Sequence, residues 1–219
     1  MDRLRRNFSA RRDFGKELNV WNHSDPTGEA MERTNRREEM LRIAFDILAT
    51  DGLEGLHART LAARMGVNHA TVHYYFPTRS DLLRAVWASA ESQFIADWES
   101  RVASGKNPRR RLLAVLDGLR SEPDVRSAWH RVFLSLQAAA APDPELAESI
   151  RDFWMGRQEA WKELLQSAKD DGALVKGSPL ADPALWMVLM LGGGLGSLVV
   201  GVHPLDDKAF TRLTDALLK

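Results

Sequence analysis

The chain has 219 residues, 30 Lys and Arg against 30 Asp and Glu, and no cysteine. Disulfides and thiol chemistry are excluded, and attraction to a polyanion has to come from a few placed side chains, because bulk charge supplies none. The length suffices for a small unit joined to a larger one with its own core.

Residues 1–30 differ from the rest. Arg3, Arg5, Arg6, Arg11, Arg12 and Lys16 outnumber Asp2, Asp13 and Glu17, apolar periodicity is weak, and Asp25-Pro-Thr-Gly28 is a breaker. This stretch reads as a basic N-terminal extension, expected to be disordered, with an arm that follows DNA as the alternative. It lacks the apolar run of a signal peptide, and a cytoplasmic protein is expected. Met31 stands just ahead of the first periodic segment, a helix over about 34–49 with Met40, Ala44, Ile47 and Leu48 on one face and Gly52 ending it.

The segment 59–79 is the most informative. A short helix with Leu61, Ala62 and Met65 apolar ends at Gly66, a residue that enters the left-handed region without strain. A second short helix starts after Asn68, turns Val72 and Phe76 inward and stops at Pro77. Two short helices with Gly in the turn form a helix-turn-helix, whose second helix enters the major groove of DNA. Its outward residues are His69, Ala70, Thr71, His73 and Tyr74, with the Tyr75 hydroxyl reaching past the core. Imidazoles and hydroxyls bond base edges or phosphates, and Ala or a Thr methyl touches a thymine methyl. Thr78-Arg-Ser-Asp81 has capping-box form, which opens a helix with Arg79 placed as a phosphate clamp. His69 and His73 also have the spacing of two zinc ligands, but a third ligand has no evident source, so no metal or other cofactor is expected.

Beyond Pro77, Leu83, Trp87, Ala90, Phe94 and Trp98 recur at spacings of three and four and predict one long helix. Later helix starts are marked by Asn107-Pro108, Pro123-Asp124, Asp143-Pro144 and Asp182-Pro183. Strand alternation is absent, and the expected fold is all-α: an N-terminal three-helix helix-turn-helix domain (31–80) joined by a long helix to a C-terminal helical ligand-binding and dimerisation domain (81–219). Residues 184–202 are almost wholly apolar and contain Gly192-Gly-Gly-Leu-Gly196. A membrane helix is disfavoured by the solitude of the segment and its glycines, and a helix buried against a second copy, together with 207–218, is expected instead. Trp129, Phe133, Trp154, Trp161 and Met187, interrupted by the polar Arg157 and Gln158, are the candidate ligand-binding residues.

Ala44, Gly52, Leu61-Ala62, Gly66-Val67, Thr71, Tyr75-Phe76-Pro77 and Leu82-Leu83 together resemble the TetR family of bacterial transcriptional regulators, in register over roughly 36–87. Where the family commonly has a phosphate-contacting Tyr this chain has His73, and where a Thr or Ser opens the first helix of the motif it has His57. Arg59 and Thr60 stand beside that position and, with Asn68, complete the candidate DNA-binding set; Arg79 replaces the common Lys. The resemblance implies a homodimer on a palindromic operator, most often a repressor released by a small molecule, here a hydrophobic or aromatic one. The alternatives are a DNA-binding dimer with no effector and a helical enzyme. Against the enzyme stands the lack of a phosphate loop after a strand or of a Ser nucleophile elbow.

Overall fold

The computed structural model describes residues 28–118 and 123–174, in which every regular element is an α-helix. Residues 1–27, Met187 and the candidate dimer segments 184–202 and 207–218 lie outside the described residues. The helices are α1 (Gly28–Gly55), α2 (Ala58–Met65), α3 (His69–Tyr75), α4 (Arg79–Ser104), α5 (Pro108–Gly118), α6 (Pro123–Ala139) and α7 (Pro144–Asp170). Two compact units divide the chain, Met1–Glu39 and Met40–Lys219.

In the first unit the described residues are the opening turns of α1, which starts six residues ahead of the expected Thr34. Glu29, Ala30, Met31, Glu32 and Arg33 are all helix formers, no breaker follows Gly28, and an Arg36–Glu32 ion pair at 3.3 Å spans one turn. A helix therefore extends without any apolar stripe to announce it.

In the second unit the boundaries follow the local signals closely. Gly52 interrupts α1 with φ 70° and ψ −167°, a backbone region closed to side chains with a Cβ. Gly66 ends α2 with φ 67°, and Val67 N–H reaches Ala62 O at 3.0 Å, the bond pattern of a Schellman turn. Asn68 caps α3 by accepting from Ala70 N at 2.8 Å. The capping box of α4 is complete: Thr78 Oγ1 accepts from Asp81 N, and Asp81 Oδ2 accepts from Thr78 N at 3.0 Å. Asn107 Oδ1 accepts from Arg110 N, and Asp143 Oδ1 from Leu146 N.

Two apolar clusters organise this unit. The first gathers Met40, Ile47 and Leu48 of α1 with Leu61, Val72, Phe76, Leu82, Trp87, Phe133, Leu136, Ile150 and Phe153, so the helix-turn-helix and the first halves of α4 and α7 share one core. The second joins Leu112, Val115 and Leu116 of α5 to Trp161, Leu164 and Leu165, with Trp98 and Val102 of α4 against it. Helix α4 thus runs from one cluster into the other.

Glu91 lies half-buried on α4. Burial, and then the charge of Asp152, push its carboxyl up to about 7 from an ordinary 4.5. A carboxyl whose pKa is raised by folding contributes fully below the unfolded value, and that contribution is lost as pH rises through the folded one. Stability should therefore decline between about pH 4.5 and 7, and Glu91→Gln should exceed the native chain by about 1–2 kcal/mol at pH 8. Urea unfolding of both proteins at pH 5 and pH 8 checks this; parallel pH dependences would contradict it.

Candidate nucleic-acid interface and effector site

Helix α3 is held at both ends and along one side, which leaves its other side free to read. Asn68 and Phe76 close its termini, and Val72 is fully buried beneath it. The candidate residues His69, Ala70, His73 and Tyr74 are exposed, Thr71 and Tyr75 half-buried, and Tyr74 presents 69% of its surface. An aromatic ring with a hydroxyl held outward on a fixed helix can reach a base edge or a phosphate. Its ring and that of Tyr75 meet edge to face, with centroids 5.3 Å apart.

The two histidines act as a pair. His73 Nδ1 lies 3.3 Å from Pro77 O and His73 Nε2 lies 2.9 Å from His69 Nε2. A carbonyl only accepts, so for neutral rings Nδ1 of His73 carries the hydrogen and His69 Nε2 donates to His73 Nε2. Nδ1 of His69 then remains an acceptor, suited to an exocyclic amine of adenine or cytosine. Among the described residues no group of three metal-ligating side chains forms.

Two candidates have structural duties as well. The Asn68 carbonyl oxygen is used by the cap, leaving its amide N–H groups. Arg79 Nη2 donates to Leu53 O at 2.6 Å, bracing the chain just past the Gly52 break, so a phosphate would meet the remaining guanidinium N–H groups. Arg59 is exposed and Thr60 half-buried on α2, which is tied to α1 by Arg64 on Asp51 at 2.6 Å.

On the effector side, Trp129, Phe133 and Trp154 come together in the first cluster. The Phe133 ring lies 5.8 Å from Trp129 and 6.4 Å from Trp154, and is also bordered by Trp87, Phe94 and Phe153. Trp161 falls in the second cluster, 4.8 Å from Trp98. Arg157 sits at the seam: it is 3% exposed, and its guanidinium carbon is 3.7 Å from the centre of the Trp98 ring and 5.1 Å from that of Phe94. Gln158 is half-buried. Phe94 and Trp98 border this arginine, although their spacing in the sequence marks them only as the apolar stripe of α4. One signal for them was present, since they are four apart, the spacing that also separates Arg157 from Trp161 on α7. A hollow of about 660 Å³ along α7 is lined by Glu159, Lys162, Glu163, Gln166 and Asp170; its charged wall sets it apart from the ring cluster.

Residues 41–86 match the family model described as bacterial regulatory proteins, tetR family, and residues 102–217, more than half of the chain, match the tetracyclin repressor-like C-terminal domain. Identity is 30% over 121 residues to the HTH-type transcriptional regulator BetI of Stenotrophomonas maltophilia, across 53% of this chain and 60% of that one. It is 32% over 105 residues to the tetracycline repressor protein class C of Escherichia coli, across 42% and 47%. The chain thus spans less than two thirds of the length of either relative. Among solved structures, a transcriptional regulator of Rhodococcus sp. Rha1 superposes with TM-score 0.66 at 25% identity, over 82% of this chain and 92% of that one. A regulator of Saccharomonospora viridis in complex with choline superposes with TM-score 0.73 at 17% identity, over 85% and 99%, a likeness of fold.

Proposed function

The chain belongs to the TetR family of bacterial transcriptional regulators, and on that premise we propose that it is a homodimeric repressor that reads a palindromic operator through α3 and is released by a small apolar or aromatic ligand. The observation that carries the DNA reading is the exposed row His69, Ala70, His73 and Tyr74 on a helix fixed by two caps and a buried Val72. One such helix discriminates few base pairs. A twofold dimer reads two half-sites about 34–36 Å apart, or a multiple of that distance, which squares the discrimination. The dimer is supported by the apolar, glycine-rich sequence of 184–202 with 207–218, a region that the C-terminal family model covers as far as residue 217.

Repression is supported by the names of similar proteins, the tetracycline repressor and the repressor KstR of Rhodococcus jostii. Ligand response is supported by the rings around Phe133 and by α4, which shares one core with the helix-turn-helix and reaches the rings at Phe94. A ligand favouring the state with displaced reading helices weakens DNA binding by the ratio of its affinities for the two states. A coupling of about 1–3 kcal/mol gives roughly a five- to 150-fold change. The compartment that goes with this reading is the cytoplasm, where the operator is.

Tyr74→Ala is the direct test. With DNA flanking the protein's own gene, at fixed salt, the native chain should protect a palindrome, and the variant should bind at least about tenfold more weakly with its melting midpoint unchanged. A variant that binds as tightly as the native chain would remove α3 from the interface.

A further inference from the structure

We propose that the effector is an organic anion, a carboxylate carried on an apolar body, whose charged end is held by Nη2 of Arg157 beside Trp98 and Phe94. The proposal rests on the ligand-responsive reading above and names the chemistry of that same site.

Nη2 of Arg157 is buried and has no hydrogen-bond partner among the described residues. Buried polar groups are almost always satisfied, and a buried guanidinium most of all. Among the described residues no carboxylate raises its pKa; burial alone pushes it down to about 9, and it stays charged at neutral pH. Apart from the two rings it lies over, this cation meets no partner of opposite charge among the described residues, and a buried charge left that way opposes folding, so stability does not account for it. Trp98 covers the guanidinium face at 3.7 Å, leaving the in-plane N–H edge, which is where a carboxylate docks.

The neighbourhood defines the rest of the ligand. From Phe94 the rings continue to Phe153 at 5.4 Å and Phe133 at 6.0 Å, an apolar track leading away from the charge. A cationic ligand meets the opposite situation: the faces of Trp98 and Phe94 that would hold it are taken by the guanidinium, which also repels it.

The test titrates the full chain at pH 7 with naphthoate and decanoate, each beside its neutral primary amide, and with tetramethylammonium, following tryptophan fluorescence and release from operator DNA. The native chain should bind the acids at least about tenfold tighter than the amides. Arg157→Met should melt several degrees higher without ligand and bind acid and amide alike, while Arg157→Lys keeps a preference for the acid. Amides or tetramethylammonium bound in preference would overturn the anion assignment and leave the ligand-responsive reading standing. Binding of no compound, whatever its charge, would overturn both. An Arg157→Met chain that melts lower than the native one would make Arg157 a structural group and overturn the proposal without reference to any ligand.

Discussion

Trp87→Ala should lower the stability of the fold by about 3–5 kcal/mol, the range for emptying a large aromatic site in a packed core. The ring is 1% exposed and meets Phe133 and Phe153 edge-on, both at 5.4 Å between centroids. Its Nε1 donates to Ser149 Oγ at 2.9 Å, so the side chain joins α4 to α7 by packing and by a hydrogen bond. Trp87→Phe retains most of the apolar volume and should lose only about 1–2 kcal/mol, through the lost donor and a smaller ring. Urea unfolding of the three proteins separates the contributions. An alanine variant within about 1 kcal/mol of the native chain would mean that α4 and α7 are not packed through this ring. The functional signature also differs from that of Tyr74→Ala: Trp87→Ala should lose DNA binding on warming, along with its helical signal, whereas Tyr74→Ala should lose binding while fully folded.

Asp143→Ala comes next, at about 2–4 kcal/mol. Asp143 is 6% exposed and serves two elements at once. It receives Arg84 through Nε at 3.0 Å and Nη2 at 2.8 Å, and it caps α7 by accepting from Leu146 N at 3.1 Å. Glu145 takes the Nη1 side of the same guanidinium at 2.5 Å. The hydrogen bond from Arg84, aided by that from Leu146 and opposed by burial, holds the Asp143 carboxyl below its ordinary value of 3.8. A carboxyl lowered by folding contributes stability above that value, and the contribution disappears as pH falls through the folded pKa. The native chain should accordingly lose more stability than Asp143→Ala as the solution is acidified below about pH 4. Asp143→Asn keeps an oxygen for the cap and should be milder. The combination of Asp143→Ala with Arg84→Met should cost less than the sum of the single changes, because it does not strand a guanidinium. Additivity within about 0.5 kcal/mol would refute the coupling.

The helix ends were legible because each is decided within a few residues. Gly66, Asn68, the Thr78 and Asp81 box, Asn107 and Asp143 satisfy backbone groups two to four positions away, and such bonds form wherever the rest of the chain goes. The reading helix was legible for the same reason: a seven-residue helix between Asn68 and Pro77 has room for few inward positions, and Val72 and Phe76 take them. The start of helix α1 is the exception, since its first two turns carry propensity but no periodicity.

By itself, then, the sequence determined an all-α chain, the caps, the helix-turn-helix and the residues α3 turns outward. Tertiary structure decided where the long, flexible side chains go. Arg79 has its nearest partner 26 residues back at Leu53 O, Arg84 finds Asp143 59 residues ahead, and Arg157 slides over Trp98 on another helix instead of reaching water. Spacing along the chain says nothing about such destinations, because a guanidinium on a flexible stem goes to whichever acceptor, ring or solvent the packed helices bring within reach.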